Sequence, residues 1–160
     1  MKVEIIETST ITTYVGVRAN GFMSELGQGV SDAFAELARR RSEIANIARP
    51  NMTYGITPPN YKGNSGLLDF YCCYEVEPLT RLPHGMIHIQ LLPRVYAKTH
   101  YIGPKSRTAS AYDYTTTWLN ENGYMYDDVS YYYEAYDERK RNDKDGENSE
   151  VIIYCPVKRR

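Results

Sequence analysis

The chain has 160 residues and a formal net charge of −1, because 19 Lys and Arg residues nearly balance 20 Asp and Glu residues. This balance excludes the strongly basic surface that is typical of nucleic-acid-binding domains, so no direct nucleic-acid partner is predicted. The length suffices for one self-supporting domain or for two fused small halves.

Two further features bear on the cellular compartment. No apolar run reaches the length of a membrane span, and the opening Met-Lys-Val-Glu-Ile-Ile lacks the pattern of a secretion signal. Cys72 and Cys73 are adjacent and Cys155 is distant, an odd count without the spacing of a disulfide framework. We therefore predict a cytoplasmic protein without membrane contact, whose cysteines fill the core as reduced thiols.

The first half of the chain has the pattern of two strands, a helix and two strands. Residues 3–5 and 12–17 carry alternating β-branched side chains, which is typical of strands. Apolar residues then recur at helical spacing, and three arginines follow where a helix C-terminus favours positive charge, so a helix is predicted near 25–42. A loop rich in proline and glycine leaves room for a short strand at 52–56, and the next clear strand is 68–76.

The second half repeats this pattern. Residues 86–92 and 94–100 are predicted to be strands, and a second helix follows that ends at Asn122-Gly123. Two more strands are predicted at 129–137 and 151–157, and the charged stretch between them is interpreted as a solvated hairpin loop.

Both halves therefore share the plan strand-helix-strand-strand, which predicts an α+β fold. We expect tandem duplicated units, about 1–80 and 81–160, that form an antiparallel sheet around a central groove. The sequence YEVE at 74–77 resembles the sequence YEAY at 133–136, which favours a duplication. A groove between two half-domains is a common place for a small-molecule site.

The densest aromatic segment surrounds a single carboxylate. Residues 131–136 read Tyr-Tyr-Tyr-Glu-Ala-Tyr in a chain with 16 tyrosines. In a strand, Tyr132, Glu134 and Tyr136 share one face. If that face lines a cavity, Glu134 is expected to meet a cation, whereas the alternative is that it forms the wet face of the strand.

Five segments, taken in order with their spacing, carry a family resemblance. They are Leu92-Pro93-Arg94-Val95-Tyr96-Ala97, His100 with Gly103-Pro104, Trp118-Leu119 with Gly123-Tyr124, Tyr133-Glu134-Ala135-Tyr136, and Val151-Ile152-Ile153-Tyr154-Cys155-Pro156-Val157. Together they resemble the GyrI-like, AraC-type bacterial effector-binding domain, a multidrug-binding ligand domain. The resemblance covers the whole chain and is sharpest after residue 85.

The resemblance implies a groove that binds amphipathic, often cationic, small molecules. It also implies an electrostatic anchor, a glutamate on the strand after the second helix, and Glu134 occupies that position. A carboxylate removed from water needs a cation or hydrogen-bond donors, so an empty groove is expected to hold Glu134 on a neighbouring tyrosine hydroxyl. Full-length regulators of the family carry a helix-turn-helix before this domain, and since none precedes it here we expect the effector module to stand alone.

Six further side chains are predicted to contact the ligand beside Glu134. They are Tyr136, Tyr132, Trp118, Tyr71, Phe70 and Tyr154. In the strand at 68–76, we favour the face with Tyr71 over the face with Phe70. Trp118 shares its helix face with Ala111 and Leu119, which favours a core position, although the floor of a groove allows both roles.

Three functions stay open at this point. The first is a stand-alone sensor or sequestering protein for lipophilic cationic compounds. The second is a hydrolase of strained electrophilic natural products, as the resemblance implies for some relatives, in which Glu134 orients or deprotonates a water molecule. The third is a protein interaction, with DNA gyrase or a separate regulator, as the gyrase-inhibitor members imply.

No metal or cofactor is predicted. His84, His88 and His100 lie on a loop and on two different strands, which does not match the spacing of a zinc site. The sequence also lacks a glycine-rich phosphate loop and a nucleophile elbow.

Overall fold

The computed structural model describes residues 1–59, 66–140 and 147–160. Within these residues two α-helices and nine strands form the α+β fold that the sequence predicts. The helices are α1 (Met23–Arg39) and α2 (Ala109–Glu121). The strands are β1 (Val3–Glu7), β2 (Thr12–Gly21), β3 (Met52–Thr57), β4 (Leu68–Val76), β5 (Ile87–Leu91), β6 (Val95–Gly103), β7 (Tyr124–Tyr126), β8 (Tyr132–Asp137) and β9 (Ser149–Arg159).

The strands form one antiparallel sheet in the order β1-β6-β9-β8-β3-β4-β2-β5, and β7 pairs with the far end of β9. The order is symmetric about the contact between β8 and β3. On each side, a block of three strands contains the strand before a helix and two of the strands that follow it, with β7 outside the second block. Each block is extended by an edge strand from the other half of the sequence, because β1 pairs with β6 and β5 pairs with β2.

This order also identifies which strands correspond. The counterpart of β8 is its neighbour β3, and the counterpart of β9 is β4. The similarity between 74–77 in β4 and 133–136 in β8 therefore joins strands that are not equivalent. The duplication of the halves itself stays a prediction.

The first helix packs on the β2–β4 block. Its buried side chains Leu26, Ala33 and Leu37 recur at helical spacing and meet Val15, Ala19, Leu68 and Cys72 in one apolar cluster. The helix ends at Arg39, and a short 3-10 turn at Arg41–Glu43 follows, so the predicted end at 42 combined two elements.

The second helix packs on the β6–β9 block. Ala111, Thr115 and Leu119 are its buried residues. The hydroxyls of Thr99 and Thr115 lie 2.6 Å apart, so a buried hydrogen bond fixes α2 against β6.

Strand register places both helices on the same face of the sheet. Cross-strand partners share a face, and the pairing runs Val17, Cys72, Gly55, Glu134, Ile153, Thr99 from β2 to β6. The first two residues lie in the block that α1 covers, and the last two lie in the block that α2 covers. Glu134 is therefore in the middle of the row, where the two helices leave the sheet uncovered.

The face of the sheet opposite the two helices carries a cluster of aromatic side chains. Five of its tyrosines are linked by ring–ring contacts, and the rings of Tyr133 and Tyr154 stack with centroids 4.3 Å apart. The five are Tyr14, Tyr54, Tyr96, Tyr133 and Tyr154. The alternation of β8 thus buries aromatic side chains on both faces of the sheet.

Cys72, Cys73 and Cys155 are buried free thiols, as predicted. Strand β7 is not in the sequence prediction, and the hairpin loop predicted before β9 has its centre, 141–146, outside the described residues. Within the described chain, neither helix combines the length and apolar composition needed to cross a lipid bilayer.

Candidate ligand-binding cavity

A cavity of about 770 Å³ opens where α1 and α2 diverge above β3 and β8. Both helices, the end of β3 and three other strands contribute to its wall. The lining residues are Met23, Leu26, Gly27, Val30, Thr57, Pro58, Pro59, Phe70, Tyr112, Thr116, Tyr126, Tyr132, Glu134 and Tyr136. Cavities of this size accommodate drug-sized ligands.

Glu134 is held at the centre of the cavity floor by two phenols. The hydroxyl of Tyr112, on α2, donates to Oε1 of Glu134 at 2.5 Å. The hydroxyl of Tyr136, two residues along β8, donates to Oε2. The predicted contact between Glu134 and a neighbouring tyrosine is confirmed, and the helix supplies a second one.

The donors at this carboxylate are neutral. Burial raises the pKa of Tyr112 well above its ordinary value, and the adjacent negative charge of Glu134 adds to the effect. Tyr112 therefore stays protonated and keeps donating. Within the part of the chain that the structure describes, no Lys or Arg side chain forms an ion pair with Glu134.

Phe70 enters the cavity because β3 has a glycine below it. Gly55 is the cross-strand partner of Glu134, and a side chain at this position would overlap the Phe70 ring and contact the Tyr136 hydroxyl. The absence of a Cβ thus leaves the space in which Phe70 lies next to Glu134. Phe34 from α1 supports Tyr136 through an edge-to-face contact with centroids 5.7 Å apart.

The side of the cavity under α2 is formed by two further tyrosines. The rings of Tyr126 and Tyr132 lie 5.7 Å apart between centroids. The Tyr132 hydroxyl donates to Oδ1 of Asp128 at 2.9 Å, and the hydroxyls of Tyr126 and Thr116 are 2.6 Å apart. The Tyr132 hydroxyl is therefore bonded to a residue outside the cavity lining, whereas the Tyr126 hydroxyl is bonded to a second residue of the cavity wall.

Four of the seven predicted site residues line the cavity, namely Glu134, Tyr132, Tyr136 and Phe70. The preference for Tyr71 over Phe70 was wrong, because Tyr71 packs in the cluster on the opposite face of the sheet. Tyr154 lies on that face too, stacked on Tyr133. Trp118 packs against Tyr124 with centroids 6.1 Å apart, in the core between α2 and the β1 edge.

The sequence analysis missed the residues that α1, α2 and β7 contribute. Tyr112 and Thr116 are four residues apart and follow the buried positions Ala111 and Thr115 directly, so helical spacing places them on the flank of the buried stripe. Their position beside the buried stripe was the signal in the sequence that could have identified these two residues.

Titratable clusters are sparse elsewhere in the described residues. No group of three or more His, Cys, Asp or Glu side chains lies close enough to hold a metal ion in that part of the chain. His100 instead lies 2.6 Å from Glu150, which also binds Lys140.

Comparisons with solved structures show where this fold occurs. The C-terminal domain of EcmrR superposes with a TM-score of 0.74 at 15% identity, covering 99% of this chain and 98% of that one. SAV2435 bound to tetraphenylphosphonium gives a TM-score of 0.73 at 13% identity, covering 99% and 94%. A hydrolase from Listeria innocua gives 0.57 at 13% identity, covering 98% and 92%. At these identities the likeness concerns the fold alone.

The chain spans only part of one of these neighbours. In the EcmrR–DNA complex, 99% of this chain superposes on 58% of the EcmrR chain, with a TM-score of 0.74 at 13% identity. No curated protein matches the sequence.

The family comparison covers nearly the whole chain. The GyrI-like small molecule binding domain matches residues 1–158, which include every strand and helix that forms the cavity. The chain therefore belongs to the family of GyrI-like small molecule binding domains.

Proposed function

We propose that this protein binds lipophilic cations in the cavity between α1 and α2, with Glu134 as the electrostatic anchor. Tyr112 and Tyr136 hold the carboxylate in place while the cavity is empty. Phe70, Tyr126, Tyr132 and Tyr136 supply aromatic faces for the apolar part of the ligand.

One observation carries this proposal. Glu134 is the one charged side chain among the described residues that line the cavity, and its hydrogen-bond partners are neutral. An ionised carboxylate in apolar surroundings is costly unless a cation or hydrogen-bond donors satisfy it, and the two phenols satisfy the oxygens of Glu134 without neutralising its charge. A cation on an aromatic face gains about 0.5–2 kcal/mol in addition. The cavity therefore combines an uncompensated negative charge with the surfaces that favour a large, weakly hydrated cation.

The fold neighbours support this class of ligand. SAV2435, which has the same fold over 99% of this chain, was solved with tetraphenylphosphonium, a lipophilic cation. EcmrR, another neighbour, was solved in complex with DNA, in a chain that extends beyond the length of this one. We infer that the present domain senses or sequesters its ligand, and the cytoplasm stays the predicted location.

A charge-matched pair of probes tests the proposal. Methyltriphenylphosphonium is a cation, whereas triphenylphosphine oxide is neutral and has nearly the same shape. Isothermal titration calorimetry on the unmodified protein should give an affinity for the cation that is at least about tenfold higher, equivalent to about 1.4 kcal/mol. Equal affinities would contradict a cation site, and binding of neither compound would contradict a site for lipophilic compounds of this size.

Thermal denaturation gives an independent measure of the same binding. Because tetraphenylphosphonium would bind the folded state alone, saturating concentrations should raise the melting temperature, and the increase should grow with ligand concentration. Tetraethylammonium is the control, since it carries the charge without aromatic surface and should give a much smaller increase.

Hydrolysis is the second candidate function, and the same carboxylate favours it. Glu134 and two phenols converge in one cavity, and a glutamate so placed can orient or deprotonate a water molecule. One neighbour of the fold is a hydrolase. Turnover of a strained electrophile such as an epoxide, lost in Glu134→Ala but kept in Glu75→Ala, would establish this activity. A turnover rate equal to the buffer rate would exclude it for that substrate.

A protein partner such as gyrase stays a prediction without structural support. The described residues next to the loop between β8 and β9 have paired charges, because Asp137 binds Arg139 and Glu150 binds Lys140. An acidic surface that imitates DNA would instead leave its carboxylates without such partners. Co-purification with gyrase would reopen this function.

A further inference from the structure

A smaller groove of about 200 Å³ lies behind the α2 side of the cavity. Its lining residues are Thr116, Leu119, Asn120, Tyr124, Met125, Tyr126, Asp128 and Arg160. Thr116 and Tyr126 also line the main cavity, so these two side chains form the wall between the two spaces.

The two side chains of this wall are joined by a hydrogen bond. The Thr116 hydroxyl donates to the carbonyl of Tyr112 at 2.9 Å. Because that hydroxyl has a single proton, the Tyr126 hydroxyl 2.6 Å away must donate to Thr116. Tyr126 lies on a strand of three residues that pairs with the end of β9. A ligand that reaches from one space into the other has to displace the Tyr126 ring, which lies on this short strand and not on the central strands.

The groove has a different chemistry from the main cavity. Asp128 accepts a hydrogen bond from Tyr132 at 2.9 Å. The Arg160 guanidinium donates to Oδ1 of Asn120 at 2.6 Å and to the carbonyl of Tyr124 at 3.1 Å. One carboxylate and one guanidinium cancel in charge, and with the amide they offer both donors and acceptors. Such a set suits an uncharged group that both donates and accepts hydrogen bonds.

Tyr132 links the two spaces chemically. Its ring lines the main cavity, and its hydroxyl points to Asp128 in the groove. A ligand that starts at Glu134 and passes the Tyr126 ring therefore follows an aromatic surface until it reaches the polar groove.

We propose that the groove is a subsite for the tail of elongated ligands, which carry a lipophilic cation at one end and an uncharged hydroxyl or amide group at the other. The cationic end binds beside Glu134, the apolar linker passes between Thr116 and Tyr126, and the polar end binds Asp128 and Asn120. The inference rests on the proposed function, since it needs the cationic end to occupy the main cavity.

Three phosphonium probes test the subsite by calorimetry. Tetraphenylphosphonium has no tail, decyltriphenylphosphonium has an apolar tail, and its ω-hydroxydecyl analogue ends in a hydroxyl. In the unmodified protein, the hydroxyl should improve the dissociation constant at least about threefold over the apolar tail, as expected for one ordinary hydrogen bond at an exposed site. Equal dissociation constants for the two tailed probes would overturn the subsite.

Two variants locate the effect. Asn120→Trp fills the groove from the exposed side of α2, and Asp128→Ala removes the carboxylate. Either change should abolish the advantage of the hydroxyl and leave the dissociation constant of tetraphenylphosphonium within about twofold. Glu121→Ala, on the same turn of α2 but outside the groove lining, is the control that should keep the advantage.

The outcomes separate the two proposals. If tetraphenylphosphonium binds and the hydroxyl advantage persists in Asn120→Trp, the polar end binds elsewhere and the subsite is overturned while the main cavity stands. If no phosphonium probe binds to the unmodified protein, the proposed function fails, and the subsite fails with it.

Discussion

The sheet carries two glutamates among tyrosines, and they differ in what compensates their charge. Glu75 on β4 lies beneath the tyrosine cluster of one face, next to Arg49, whose Nε is 3.7 Å from Oε2 of Glu75. Glu134 on β8 lies on the other face and accepts hydrogen bonds from Tyr112 and Tyr136. Within the described residues, no tyrosine donates to Glu75 and no cation pairs with Glu134.

The two glutamates lie in similar aromatic surroundings, but one forms a structural site and the other a candidate binding site, because their charges have different partners. Burial raises the pKa of Glu75, and the nearby Arg49 acts in the opposite direction. The chain thus supplies a cation at Glu75 from its own sequence. At Glu134 it supplies neutral phenols and an open cavity, and under the proposed function the ligand supplies the compensating cation.

The largest effect is expected from closing the space next to Glu134. Gly55→Ala places a methyl group where the Phe70 ring lies, so the ring must move into the cavity. We expect the affinity for tetraphenylphosphonium to fall at least about tenfold, and the free energy of unfolding to fall by about 1–3 kcal/mol because the site becomes overpacked. Calorimetry and urea denaturation measure the two quantities.

Gly29→Ala is the matched control for Gly55→Ala. Its new methyl group would meet only the Cβ of Ala19, at 3.9 Å, and it lies outside the cavity lining. Replacing a glycine inside α1 should raise the free energy of unfolding by about 0.5–1 kcal/mol and leave ligand affinity unchanged. Unchanged binding in Gly55→Ala would show that the position of Phe70 does not matter for the site.

A second effect, of comparable size in stability but without closing the cavity, is expected from removing one phenol donor. Tyr112→Phe leaves Oε1 of Glu134 without its partner, and a hydrogen bond to a charged group contributes about 1.5–3 kcal/mol. The free energy of unfolding of the empty protein should fall by an amount in this range. Tyr54→Phe, in the cluster near Glu75, removes no donor from a carboxylate and should cost less than Tyr112→Phe. Equal costs would show that the two groups of tyrosines do not differ in this way.

The smallest effect is expected from removing Arg49, the cation that the chain itself places next to Glu75. Because burial raises the pKa of Glu75 above its unfolded value, the ionised carboxylate lowers stability as the pH rises through that pKa, and Arg49 opposes this loss. Arg49→Ala should therefore reduce the free energy of unfolding at neutral pH by up to about 1 kcal/mol. The difference from the unmodified protein should shrink toward about pH 4, where glutamates become protonated.

Lys2→Ala serves as the reference for that measurement. It breaks an exposed ion pair, since 79% of the Lys2 side chain is accessible, and it should have no measurable effect at either pH. If Arg49→Ala showed the same loss at both pH values, the loss would come from packing rather than from the charge of Glu75.

Much of the fold was predictable because its signals are local. Both helices and eight strands follow from the spacing of apolar residues and from Gly and Pro at their ends. Strand β7 was missed because Tyr124–Tyr126 is three residues long and follows directly on the turn that ends α2. A strand this short shows too little alternation to be recognised.

The site was predictable only in part, for a physical reason. On β8 a single charge among aromatic residues marks one face, so Tyr132, Glu134 and Tyr136 were correctly grouped. On β4, Phe70, Tyr71 and the two cysteines are apolar on both faces, so alternation does not tell which face is lined by the cavity. Tyr112 lies beside the buried stripe of α2, a local signal that gives its place on the helix but not the cavity that it lines. Tyr126 reaches the cavity through the placement of β7 against the sheet, which depends on tertiary packing that no local pattern encodes.

The central claim is that Glu134, and not Glu75, recognises the charge of the ligand. The most direct test is the ratio of affinities for methyltriphenylphosphonium and triphenylphosphine oxide, measured by calorimetry in the unmodified protein, in Glu134→Gln and in Glu75→Gln. We predict that the ratio of at least about tenfold persists in Glu75→Gln and falls to about one in Glu134→Gln, where the shape of the side chain is kept and its charge is lost. A ratio that survives in Glu134→Gln, or that is lost equally in both variants, would contradict the claim.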